Sequence, residues 1–142
     1  RWQVLEPPAT APKGDGPDQL DALATDTKLA WSPAYARVDG TLPAESLAAI
    51  PYRVNAAQVG LARAEVEVTT PGKVRLKLDP VPLACWLDGR RVFHQPTLDL
   101  DLTAGLHTLT VALPAEPGGP GFRAELQDVP GSAARAQAVV GK

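Results

Sequence analysis

The sequence predicts an all-β fold, an antiparallel β-sandwich of jelly-roll-like form with about eight strands. Three observations carry this. From Ala62 onward apolar residues recur at every second position. The alternating runs are short and are separated by Gly- or Pro-containing turns roughly every 8–12 residues. The chain also holds 15 prolines and 12 glycines in 142 residues, too many breakers for a helical bundle. This length suits one domain with a single core, and no repeat of roughly 20–50 residues suggests a propeller or solenoid.

Residues 1–60 read as loop-rich with short strands. Trp2 to Leu5 is a short strand, and "EPPATAPKGDGPDQL" after it forms a long irregular loop. "PDQLDALAT" and "LPAESLAA" each allow a helical turn or two, the first facing Leu20 and Leu23 inward and the second Leu42 and Leu47.

Residues 61–129 hold the regular strands. "AEVEVTT" sets Val66 and Val68 against Glu65 and Glu67, and "KVRLKLD" sets Val74, Leu76 and Leu78 against Lys73, Arg75 and Lys77. A hairpin through Pro71-Gly72 is expected to pair Val68 with Leu76 or with Val74, because only an odd loop keeps the apolar faces together. "TLDLDLTAGLHTLTVAL" predicts a second hairpin about Ala104-Gly105, pairing Leu102 with His107, Leu100 with Leu109 and Leu98 with Val111. Its outer face would carry Asp99 and Asp101 beside Thr110 and Thr108. "FRAELQDV" turns Phe122, Ala124 and Leu126 inward and Arg123, Glu125 and Gln127 outward. Residues 130–142 form an edge strand or a tail.

The richest stretch is "ACWLDGRRVFHQ". Asp88-Gly89 suits a two-residue type I′ turn, whose central residues both need positive φ. Pairing follows as Leu87 with Arg90, Trp86 with Arg91, and Cys85 with Val92. Cys85, Leu87 and Val92 then share the core face, and Trp86, Arg91 and Phe93 take the opposite one. Two readings are open. Trp86 can stack on a sugar ring while the guanidinium groups of Arg90 and Arg91 donate to its hydroxyls. Alternatively Trp86 and Arg91 are a cross-strand pair, or a bulge turns Trp86 into the core.

Other chemistry finds little footing. The net charge of −2 is spread along the chain, with no basic stripe for nucleic acid. No apolar run nears the roughly 18 residues that span a bilayer, so no direct membrane insertion is expected. The opening "RWQVLEPP" reads as a mature segment or an excised domain. One cysteine, Cys85, cannot close an intrachain disulfide or make a paired-Cys zinc or redox site, and reads as a buried apolar residue. His94 and His107 are too few and too scattered for a metal set, and no HExxH, P-loop, dinucleotide or nucleophile-elbow motif occurs. Asp15, Asp18, Asp21 and Asp79 lie in loops but match no dedicated calcium loop. The reading is non-catalytic, without metal or cofactor.

With the strands placed, "RWQVLEPP", "KVRLKLDPVPLACWLDGRRVF", "LDLTAGLHTLTVAL" and "FRAEL" give the chain a likeness to a known group. It resembles the lectin-like β-sandwich modules of the protective-antigen and galactose-binding type. More narrowly, it is similar to modules attached to large exported bacterial membrane-bound dehydrogenases with c-type haem domains. The resemblance implies an extracytoplasmic accessory domain whose partners are a glycan and the neighbouring domains of a parent protein, haem-containing elsewhere. Some members of the wider group hold calcium through loop aspartates before the Trp-x-Asp/Asn-Gly hairpin; this chain has "TTPGKV" there, without an acidic pair. The residues that match are Trp86, Asp88 and Gly89 at the hairpin and Gly105 and His107 at the next turn. Function is thus expected to be carbohydrate binding at Trp86, Arg90, Arg91 and His94, with a structural or docking domain as the alternative.

Overall fold

The computed structural model describes residues 2–5, 31–37, 41–47, 50–54, 57–92, 95–115 and 121–138. The strands are β1 (Trp2–Leu5), β2 (Trp31–Ala34), β3 (Ile50–Val54), β4 (Ala57–Thr70), β5 (Gly72–Asp79), β6 (Ala84–Leu87), β7 (Arg90–Val92), β8 (Thr97–Leu102), β9 (Gly105–Pro114), β10 (Arg123–Asp128) and β11 (Arg135–Ala138). An eight-stranded antiparallel sheet runs β2-β1-β4-β9-β6-β7, with β3 and β11 also on β4, and a three-stranded sheet runs β10-β5-β8. The all-β sandwich is therefore as the alternation predicts. The helical turn expected in "LPAESLAA" is a single 3-10 turn, Ala44–Ser46, with Leu42 buried and Leu47 packed on the core. The helical turn expected in "PDQLDALAT", and the loop before it, lie outside the described residues.

Both long hairpins are corrected. β4 and β5 do not pair: β4 lies beside β9 in the large sheet, and β5 lies between β10 and β8 in the small one. Nor does β8 pair with β9, since β8 lies along β5 and β9 between β4 and β6. At each corner the chain crosses from one sheet to the other. The crossings fall at Gly72 (φ 146) and Gly105 (φ 119), conformations that a side chain disfavours. The alternation cannot separate the two arrangements, because a hairpin and a crossover bury the same residues. Val66, Val68, Val74 and Leu102 do meet, but across the interlayer space rather than edge to edge. Asp99 and Asp101 consequently lie on the small sheet, opposite Arg75 and Lys73, while Thr108 and Thr110 belong to the large one.

The core between the layers joins Leu76, Leu78 and Leu98 of the small sheet to Ala62, Cys85, Leu109, Val111 and Leu113 of the large sheet. Trp2 meets Phe122 edge-on there, at 5.7 Å between ring centroids and 78° between planes. As expected, Ala124 and Leu126 turn toward this core, with Arg123 and Glu125 exposed. The C-terminal segment is an edge strand, β11, paired with β4 from Val66 to Thr70.

β4 changes character along its length. Its second half alternates, Val66 and Val68 inward and Glu65 and Glu67 outward. Its first half reads "VGLA" without alternation, and Val59, Leu61 and Ala62 are all fully buried. That run is the signature of a strand covered on both faces. A second buried cluster accordingly lies on the outer face of the large sheet: Leu5, Val59, Leu61, Ala84, Trp86 and Ala112, with Trp31 and Leu83 against it.

Phe122 is held by a two-way backbone bridge to Leu42, with hydrogen bonds of 2.7 and 2.9 Å. This close approach requires Gly121 (φ +80), since a Cβ there would stand 2.7 Å from the Leu42 carbonyl oxygen. Gly131 has a similar φ of +83 but open space around it. Gly121→Ala is therefore expected to lose about 2–4 kcal/mol, and Gly131→Ala only the roughly 1–2 kcal/mol of left-handed backbone strain. Urea denaturation of the two variants measures the difference.

Candidate functional site

The hairpin "CWLDGRRV" forms in the register its turn dipeptide predicts, with Cys85 opposite Val92, Trp86 opposite Arg91 and Leu87 opposite Arg90. Asp88 (φ 52) and Gly89 (φ 82) supply the two positive φ angles of a type I′ turn. Cys85 is fully buried in the core, as expected. Burial pushes its thiol up to about 11, so it carries almost no thiolate near neutrality and is a packing residue.

Asp88 does more than turn the chain. Its backbone N–H donates to the Thr108 carbonyl at 2.8 Å, and its Oδ1 accepts the Thr108 N–H at 2.8 Å. Its Oδ2 lies 2.6 Å from His107 Nδ1, and His107 Nε2 lies 2.8 Å from the Thr103 carbonyl oxygen. Neither a carboxylate nor a carbonyl has a proton to give. Both ring nitrogens must therefore donate, which requires the imidazolium. The Thr103 carbonyl and then the Asp88 hydrogen bond raise the His107 pKa, against an opposing effect of burial. The ring thus ties the β6–β7 turn to the β8–β9 crossover. Sequence reasoning named Asp88 and His107 as turn residues but missed this link, because it paired β9 with β8 instead of β6.

Trp86 forms the cross-strand pair with Arg91 that is the second reading of this hairpin. It does lie on the face opposite Cys85, but it is only 1% exposed, packed into the outer-face cluster. The Arg91 guanidinium sits over its ring at 5.3 Å. Trp86 is therefore not an open stacking platform. The reason is that the outer face of the large sheet is itself an interior at this point, which a period of two cannot reveal. Arg90 and Arg91 are exposed at the hairpin. His94, with Phe93, lies outside the described residues.

One transverse row on this outer face runs over five strands. Gln3 is in register with Arg63, Arg63 with Thr110, Thr110 with Trp86, and Trp86 with Arg91. Arg63 Nε donates to Gln3 Oε1 at 2.6 Å, and its guanidinium lies 4.2 Å from the centroid of the Trp31 ring. Two arginine–tryptophan stacks thus flank Thr110, which is buried. Arg63, Gln3 and Trp31 carried no signal in the sequence, since strand register alone brings them together.

The acidic pairs are surface charge. Glu65 and Glu67 are exposed, and Asp99 accepts a 2.9 Å hydrogen bond from Arg75 Nε on the outer face of the small sheet. Of the loop aspartates, Asp15, Asp18 and Asp21 lie outside the described residues, and Asp79 is opposite Arg123. Among the described residues no group of three His, Cys, Asp or Glu could hold a metal ion. None of the helical structure described is long and apolar enough to cross a membrane. A pocket of about 80 Å³ opens between the layers, lined by Trp2, Ala64, Leu76, Leu109 and Leu126 among others. It is smaller than the roughly 150 Å³ cavity that admits benzene.

No protein-family model matches the chain, and no curated protein or solved structure shows significant similarity to it.

Two outcomes follow from this geometry. Trp86→Ala empties a closed cluster and is expected to destabilise the fold by about 3–5 kcal/mol in chemical denaturation. The His107 tie gives a pH dependence whose sign is set by the raised folded pKa. Its contribution is full below the unfolded value near 6.5 and is lost as pH rises through the higher folded value. Asp88→Asn keeps a residue suited to the turn but removes the charge. Unfolding free energies of wild type should therefore fall from pH 6 to 9 more steeply than those of Asp88→Asn, and parallel curves would rule the tie out.

Proposed function

We propose that the chain is a non-catalytic accessory β-sandwich of a larger exported protein, serving as a structural or docking domain against a neighbouring domain or protein partner. The burial of Trp86 supports docking over carbohydrate binding. A sugar ring stacks on an open aromatic face. Trp2 and Trp86 are buried, and Trp31 has the Arg63 guanidinium over its ring. The described acid–base pair, Asp88 with His107, has both ring nitrogens committed to holding strands together, which counts against a catalytic reading. The extracytoplasmic setting and the accessory role rest on the resemblance of the "WLDGRRV" and "AGLHTLTV" segments to exported lectin-like modules.

The docking reading is tested by hydrogen exchange on the isolated chain and on the longer protein. Added protection on the exposed strands or loops of this domain is expected in the longer protein, together with no response on a glycan array. Saccharide binding that is abolished by Arg91→Ala in a folded variant would overturn the reading and restore the sugar-binding one.

A further inference from the structure

Between β8 and β9 the chain leaves both sheets for two residues. β8 parts from β5 at the pair Leu102 with Gly72, and β9 joins β4 at the pair Gly105 with Val68, so Thr103 and Ala104 belong to neither ladder. Thr103, Ala104, Gly105 and Leu106 are all exposed. Among the described residues nothing stands within 4 Å of where a Gly105 side chain would begin, so the corner is not packed down at its pivot. What fastens it is the Nε2–H of His107, which meets the Thr103 carbonyl oxygen at 2.8 Å.

Two acceptors thus stand on either side of one imidazole, Asp88 Oδ2 at 2.6 Å from Nδ1 and the Thr103 carbonyl at Nε2. A neutral ring has a single N–H and must give one of them up. The two sides are unequal. Asp88 offers a charged acceptor, which makes roughly twice as strong a hydrogen bond as a neutral carbonyl. Its turn is also fastened independently, by two 2.8 Å hydrogen bonds with the Thr108 backbone. The remaining proton therefore stays on Nδ1, and the bare Nε2 lone pair faces the Thr103 carbonyl oxygen, which it repels. Asp88 is the described charged group whose field acts on the ring. Glu65 and Glu67 flank Val66, the register neighbour of His107, on the opposite face of β4. Arg90 and Arg91 are on β7, one strand beyond β6, and Lys73, Arg75, Asp99 and Asp101 are on the outer face of the small sheet.

We propose that His107 is a pH-operated latch on the exposed corner Thr103 to Leu106: protonated, it fastens the corner to the Asp88 turn, and on losing a proton it keeps Asp88 and releases Thr103. The change is local. The β4–β9 ladder and the Asp88 turn hold while the corner loosens, whereas a general loss of stability would loosen every strand together. Both partners favour the charged ring, so the latch is closed at lower pH and opens as pH rises through the raised folded-state value of His107. It does not depend on what the domain docks against.

The test records, on the whole chain from pH 6 to 9, the protonation of the two His107 ring nitrogens by nitrogen NMR and the backbone order parameters from Leu102 to Thr108. Both nitrogens are expected to carry protons at the low end and Nδ1 alone at the high end. With the same midpoint, order parameters at Thr103, Ala104 and Gly105 should fall from the rigid level of about 0.85 to below about 0.6, while Asp88 and Thr108 stay rigid. Asp88→Asn keeps a residue suited to the turn but removes the charge, and should move the ring and corner midpoints to lower pH together. His107→Gln has no proton to lose in this range, so the order of its corner should stop following pH. If His107→Gln fails to fold, the paired shift in Asp88→Asn still decides. Corner order that is unchanged across the ring's midpoint overturns the proposal, as does a neutral ring that keeps its proton on Nε2. Loss of order at Asp88 and Thr108 together with the corner overturns it as well, because the loosening is then general.

Discussion

The ladder between β4 and β9 pairs ten consecutive residues, from Val59 with Pro114 to Val68 with Gly105, and nearly every other contact depends on its register. Because side chains alternate, this one alignment sends Ala62, Leu109 and Val111 inward and Leu61, Arg63, Thr110 and Ala112 outward. A slip of one residue would put Arg63 and Glu65 into the core. The far edge of β4 is shared in turn by β3, β1 and β11, and the far edge of β9 by β6. The position of the Asp-Gly turn beside Thr108, and so the reach of Asp88 to His107, is set by the same alignment.

The hairpin and the outer-face row therefore behave as rigid parts of the scaffold rather than as a loop site. Burial locks Trp86, Arg91 lies over it, and Asp88 is engaged by both backbone and imidazole. Among the described residues, the exposed Glu65, Glu67, Arg90 and Arg91 lie on strands of the large sheet. A surface of that kind can present charge at set spacings, because adjacent strands stand about 4.8 Å apart.

Much of the fold was legible. The inward set of β5, β8, β9 and β10 followed from alternation, and the β6–β7 register followed from Asp88-Gly89, whose φ demands leave few alternatives. The partners of β4, β5, β8 and β9 were not legible. Alternation states which residues are buried but not whether they meet side by side or face to face, and Gly72 and Gly105 serve a crossover as well as a turn. The candidate site was legible only as a set of neighbours. Trp86 and Arg91 stand side by side as their register requires, yet the burial of Trp86 depends on Leu5, Val59 and Leu61, residues far away in sequence. Arg63, Gln3 and Trp31 were illegible for the same reason.

The two glycine crossovers also bear on how the chain reaches this state. β4 feeds directly into β5 and β8 into β9, yet neither pair forms a local hairpin, so the tight β6–β7 turn is the short-range nucleus available between Ala57 and Pro114. One edge of β4 must wait for a strand that emerges more than thirty residues later, at Gly105. Closing a loop of that length before the central β4–β9 ladder forms slows folding, toward the roughly milliseconds-to-seconds scale of domains rich in non-local strand pairs. During synthesis β4, with its apolar "VGLARAEVEV" run, is thus exposed as an unpaired edge until β9 has left the ribosome. The glutamates at 65 and 67 then have a second use, as charges that discourage that edge from pairing with another chain.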